Sequence, residues 1–146
     1  MSTLNKEYIF TVLDAVAEAK NKKLKIQVLQ DNDSSALRGV LRGGFDPSLE
    51  FNLPAGDPDV QKIDLKGARP VYLSLLLGNF PKFIKTSGEQ KTPKHTIENE
   101  FLRILRRVHP EEYDLLILMK DGKLTGKYKG LTKKLVVDAF PGLIKG

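Results

Sequence analysis

The sequence predicts a mainly α, single compact domain of about six helices with one irregular or short-strand segment. Three observations carry this. Apolar residues recur at helical spacing through most of the chain. Proline and small polar residues stand where helices should begin, and glycine or proline where they should end. Residues 45–69 are the least regular part, with turn punctuation around a short alternating run. At 146 residues the chain suits one domain, 1–146, long enough to bury a core.

The first helix is predicted from Asn5 as N-cap, with Glu7 in its first turn and Leu4 and Ile9 placed as a hydrophobic staple. Ile9, Val12, Leu13 and Val16 form its inner stripe, and it should stop near Lys20. Lys22–Gln30 reads two ways. Lys-Leu-Lys-Ile-Gln-Val alternates as a strand would, yet Leu24 and Val28 lie four apart and Asn21 suits a cap. Helix is favoured, because both neighbours are helical and no hairpin turn is visible. Ser34 or Ser35 should cap a third helix carrying Leu37, Val40 and Leu41, which Gly43-Gly44 should end.

Residues 45–69 open with the turn Phe45-Asp-Pro-Ser, alternate through Leu49-Glu-Phe-Asn-Leu53 and are punctuated by Pro54-Ala-Gly-Asp-Pro58. Their apolar residues should pin the segment to the core. Ala68-Arg-Pro70 should open another helix, with Pro70 at N1 and Leu73, Leu76, Leu77 and Phe80 as its stripe. Residues 85–92 have almost no apolar content and read as an exposed, mobile loop. Thr92 as cap and Pro93 at N1 should start the clearest helix, with Ile97, Phe101, Ile104, Leu105 and Val108 inward. Its charges follow the helix dipole, Glu98 and Glu100 early, Arg103, Arg106 and Arg107 late. His109-Pro110 ends it and begins the next helix, with Tyr113, Leu116, Ile117 and Met119 inward. Gly122–Gly130 reads as a basic loop. Thr132 should cap a last helix carrying Leu135, Val136, Ala139 and Phe140, closed by Pro141-Gly142.

Several function classes are disfavoured. No cysteine is present, which removes thiol catalysis and cysteine-ligated zinc, and two histidines are few for a metal site. No metal and no cofactor is expected. No run approaches a membrane span, and the first residues do not resemble a secretory signal, so an intracellular protein is expected. Gly122-Lys-Leu-Thr-Gly-Lys-Tyr-Lys-Gly130 fails as a phosphate-binding loop, with three residues between its first glycines where four are needed. A helix-turn-helix is disfavoured by the same connection, which exceeds the usual three or four residues. Nothing assembles a nucleophile, a base and an oxyanion hole, so an enzyme is not expected.

Charge points elsewhere. The net charge is +6, from 24 Lys+Arg against 18 Asp+Glu. Residues 31–70 hold five basic and seven acidic groups, whereas residues 71–146 hold fourteen and eight. A basic C-terminal half suits an anionic partner. Candidate contacts to DNA or RNA are Lys123, Lys127, Lys129, Lys133 and Lys134 for phosphate, with Tyr128 stacking on a base. Arg103, Arg106 and Arg107 either grip phosphate as well or pair with Glu98, Glu100, Glu111 and Glu112. A second candidate surface is the acidic segment 45–69, where Phe45, Phe51 and Leu53 would dock a protein partner.

Three runs of sequence carry a resemblance, Ile9–Lys23, Ala36–Asp46 and Lys127-Tyr-Lys-Gly-Leu-Thr-Lys-Lys-Leu-Val-Val-Asp-Ala-Phe-Pro-Gly-Leu-Ile144. Through them the chain resembles a family of small uncharacterised proteins of large contractile-tailed bacteriophages, including those of marine cyanobacteria. The resemblance implies phage origin and expression in the host bacterial cytoplasm, and it brings no activity or functional residues. Two readings follow. The first is a non-enzymatic accessory protein that binds nucleic acid, or a replication or transcription complex of host or phage, through the basic half. The second is a protein–protein adaptor or inhibitor of a host factor, or a minor virion or assembly protein. One contiguous positive face favours the first, scattered lysines the second.

Overall fold

The computed structural model describes residues 8–73, 83–84 and 93–144. Helix α1 (Ile9–Glu18) buries Ile9, Val12, Leu13 and Val16, the stripe its sequence spells out. Tyr8 occupies its cap position and supplies no side-chain cap bond. The expected cap and staple residues, Asn5, Leu4 and Glu7, lie outside the described residues. The first amides of α1 are satisfied from far along the chain, where Glu112 accepts from Ile9 N–H at 3.0 Å and Phe10 N–H at 3.2 Å.

Residues 22–31 are helical, as favoured: α2 (Lys22–Asp31) is capped by the Asn21 side chain, which accepts from Leu24 N–H. Only Leu29 is fully buried on it, with Ile26 and Val28 half-buried, so α2 lies on the surface with a narrow inner stripe. Leu24, which suggested strand alternation, is 45% exposed.

Helix α3 (Ser35–Phe45) is capped by Ser34 and runs straight through Gly43 and Gly44, which the sequence placed at its end. The reason is packing. A methyl group on Gly43 would meet the Met119 sulfur at 3.0 Å and the Phe51 ring at 3.1 Å, and one on Gly44 would collide with the Leu124 side chain. The glycines let α3 approach its neighbours closely.

Residues 46–72 form an irregular strap. The expected short strand reduces to one antiparallel bridge between Phe51 and Ile84, beside a 2.7 Å bond from Asn52 N–H to the Phe83 carbonyl. Pro70 is not at N1 of a helix. Val71 and Tyr72 are non-helical, Leu73 is the first helical residue, and Val71 N–H donates to the Arg107 carbonyl at 2.8 Å. Leu76, Leu77 and Phe80 of the expected stripe and residues 85–92 lie outside the described residues.

Helix α4 (Lys94–Arg107) has Pro93 at its cap position rather than at N1, and Thr92 lies outside the described residues. Ile97, Phe101, Ile104 and Leu105 face inward. Helix α5 (Pro110–Lys120) follows after His109, whose Nδ1 accepts from Glu111 N–H at 3.0 Å. The imidazole therefore caps a helix start and not the end of the preceding one. A one-turn helix α6 (Leu124–Lys127) occupies part of the expected basic loop, and α7 (Lys133–Ala139) is capped by Thr132.

The domain is mainly helical and organised around α5. Glu112, Tyr113, Leu115, Leu116, Ile117 and Met119 of α5 are all buried. It packs against α1, α3, α4 and α6, while α2 lies between α1 and α7. No helix among the described residues is long and apolar enough to cross a membrane.

Candidate nucleic-acid interface

The basic surface is assembled from two ends of the chain. Residues 18–25, Glu-Ala-Lys-Asn-Lys-Lys-Leu-Lys, carry four lysines and one acid at the α1–α2 turn. Residues 127–134, Lys-Tyr-Lys-Gly-Leu-Thr-Lys-Lys, carry four lysines and no acid. Packing of α7 on α2 brings them together, through Gln30 Nε2 donating to the Ala139 carbonyl at 2.9 Å and a Lys22–Asp138 ion pair. Lys25 is the rivet. Its ammonium donates to the carbonyls of Val16 at 2.7 Å and Ala19 at 3.0 Å, the open C-terminal end of α1, and reaches the Lys129 carbonyl at 3.5 Å. Gly130, with φ +83°, leaves the room, since a methyl group there would stand 2.7 Å from Lys25 Cε. Lys20, Lys22, Lys23, Lys129, Lys133 and Lys134 are exposed around this point.

The expected contact residues do not all join this surface. Lys129, Lys133 and Lys134 do. Lys127 turns away to Glu111 at 2.8 Å and Asp114 at 4.0 Å, which neutralises it. Lys123 is exposed in the turn before α6 and borders a separate cavity under the strap. Tyr128 does not stack on anything outside the protein. It is fully buried, burial pushes its phenol far above the ordinary range, and among the described residues its hydroxyl has no partner. The signal was present, because Leu124, Tyr128 and Leu131 stand four and three apart and all are fully buried.

Arg103, Arg106 and Arg107 are exposed at spacings of three and four along α4, a single outer face. Two of the expected glutamate partners are engaged elsewhere: Glu111 holds Lys127, and Glu112 is fully buried against α1. These arginines lie near the opposite end of α1 from the lysines. His109, two residues beyond Arg107, packs its ring on Tyr8 and Phe10 at the start of α1, whereas Lys25 and Lys129 meet at its end. Ten residues of helix separate the two ends by about 15 Å.

Phe45, Phe51 and Leu53, the expected protein-docking residues, are half-buried and line a cavity of about 460 Å³ between the strap and the C-terminal ends of α3 and α5. The strap is held there by Lys120, whose side chain is 2% exposed. Its ammonium donates to the Pro54 carbonyl at 2.9 Å, the Gly56 carbonyl at 2.8 Å and Asp121 at 2.8 Å. Asp121 in turn accepts from Gly56 N–H. Tyr113 donates its hydroxyl to Asp57 and accepts from Val60 N–H. Burial and the adjacent carboxylate push that phenol up to about 12, and the same bond holds Asp57 below the usual carboxylate range.

Among the described residues the two histidines take a structural and an exposed position. His109 is a structural cap whose burial lowers its pKa, so the neutral ring that accepts from Glu111 is favoured at pH 7. His95 is exposed on the first turn of α4. Among the described residues no group of three His, Asp or Glu could hold a metal ion.

The chain belongs to a family of unknown function, DUF6433, whose model matches residues 12–126. That match takes in the α2 lysines and the α4 arginines and ends before Lys127. No curated protein and no solved structure matches the chain.

Proposed function

We propose that this protein is a non-enzymatic accessory protein that binds the phosphate backbone of nucleic acid, or a replication or transcription complex seated on it, through the lysine face at the α2–α7 end. One observation carries the reading. With Lys127 turned away to Glu111, residues 18–25 and 127–134 hold seven lysines against one glutamate, +6 in total, as much as the whole chain carries. The rest of the protein is nearly neutral, and the excess charge is gathered where two segments meet. Scattered solubilising lysines would not leave this pattern, and a concentrated positive face attracts and orients a polyanion. The resemblance to small proteins of contractile-tailed phages sets the reading in the cytoplasm of an infected bacterium. The test is binding of labelled single- and double-stranded DNA and RNA at low and physiological salt. Affinity should fall steeply with salt; absence of binding at low salt would overturn the reading.

A second reading, an adaptor, an inhibitor of a host factor or a minor virion protein, is favoured by the cavity that Phe45, Phe51 and Leu53 share. Under it, Phe51→Asp abolishes capture of a protein partner while Lys129→Ala leaves it intact. Capture that survives Phe51→Asp would remove the strap from consideration.

A further inference from the structure

We infer that the cleft between the start of α2 and residues 130–135 seats one phosphate group of the bound strand, and that Asp138 competes with that phosphate for Lys22. The inference rests on the nucleic-acid reading above. The cleft has a volume of about 400 Å³ and is lined by Lys22, Lys25, Gly130, Thr132, Lys134 and Leu135. No carboxylate among the described residues lines it.

Its three ammonium groups differ in kind. Lys25 sits on the carbonyls of Val16, Ala17 and Ala19, at 2.7, 3.3 and 3.0 Å, so its donors are taken and it contributes a fixed positive charge. Lys134 is exposed and has no hydrogen-bond or ion-pair partner among the described residues, which leaves three donors for a ligand. Lys22 is held at the rim by Asp138, with both side chains substantially exposed at 53% and 37%. Exposed pairs of this kind contribute little and exchange readily, so a phosphate oxygen can take the place of the carboxylate. Thr132 adds a hydroxyl that accepts from Leu135 N–H at 3.2 Å and keeps its own hydrogen to donate. A fixed charge flanked by two mobile ammonium groups and a hydroxyl is the donor set that a phosphate oxygen cluster needs. The volume accommodates the attached sugar as well.

The phosphate is either an internal diester or a strand terminus. The test measures binding of a short single-stranded oligonucleotide, with and without a 5′-phosphate, across salt concentrations, with inorganic phosphate as competitor. Lys22→Ala/Lys134→Ala should weaken binding about tenfold and make the salt slope shallower by about one. Asp138→Asn should tighten binding about two- to fivefold, because it removes the competing carboxylate; a variant that merely disturbs the fold would not gain affinity. Tighter binding of the 5′-phosphorylated strand assigns the seat to a terminus, and equal binding assigns it to a diester. Either fits the seat. If the wild type binds while Lys22→Ala/Lys134→Ala and Asp138→Asn both leave affinity and slope unchanged, the cleft is not the seat, and the broader reading survives. A wild type that binds no oligonucleotide at low salt overturns both.

Discussion

Glu112 shows how one side chain can serve two distant elements. It lies on α5, is fully buried, and receives the first two amides of α1, so it caps a helix that begins more than a hundred residues earlier. Burial raises its pKa from an ordinary 4.5 to about 7, against the opposing pull of the two amides. The folded state therefore holds this proton more tightly than the unfolded chain does. Its contribution is fully present below pH 4.5 and is lost as pH rises through 7, an effect of about 3 kcal/mol. Glu112→Gln removes that dependence. Urea denaturation between pH 5 and 8 should show wild-type stability falling relative to the variant, and parallel profiles would contradict the assignment. His109 titrates in both proteins, so the comparison isolates Glu112. Lys120 makes a second residue-scale case, since its buried ammonium closes the strap onto α5. Lys120→Met should speed hydrogen exchange at Gly56 N–H, with a stability loss of about 1 kcal/mol, because the Pro54 and Gly56 carbonyls lose a charged donor.

At the scale of elements, legibility followed locality. Caps that a helix supplies to itself were readable: Asn21, Ser34 and Thr132 each stand where a small polar residue precedes an apolar period. The inner stripes of α1, α4 and α5 were readable for the same reason. What could not be read depends on contacts between distant segments. Gly43 and Gly44 look like a terminus because glycine usually marks one, yet here they admit Met119 and Leu124. Alanine in an exposed helix would gain about 1 kcal/mol over glycine. Gly44→Ala should instead destabilise the protein by about 1–3 kcal/mol, as overpacking against the fully buried Leu124 outweighs propensity. A rise in the melting temperature would show that α3 can shift away. The ends of α1 follow the same logic, for Glu112 and Lys25 cap it from other elements and neither is signalled by its neighbours. Lys25→Met should cost about 1–2 kcal/mol by thermal or urea unfolding, because the carbonyls of Val16 and Ala19 lose a charged donor.

The whole molecule is where the candidate site becomes visible. Along the sequence, the positive charge belongs to the C-terminal half, and the lysines of residues 20–25 read only as part of a helix. Folding redistributes these groups. Lys127 is spent on Glu111, Tyr128 is core, and Arg103, Arg106 and Arg107 face outward from another part of the surface. Residues 20–25 replace them beside Lys129 and Lys134, because α7 lies on α2. The most direct test reverses charge on that face. Affinity of Lys20→Glu/Lys23→Glu/Lys129→Glu for single-stranded DNA or RNA, measured across salt, is compared with that of Arg103→Glu/Arg106→Glu/Arg107→Glu. The lysine variant should lose at least about tenfold in affinity and flatten the salt slope, while the arginine variant stays within about threefold of wild type. Equal losses in both, or a loss confined to the arginine variant, would contradict the assignment of the lysine face as the binding surface.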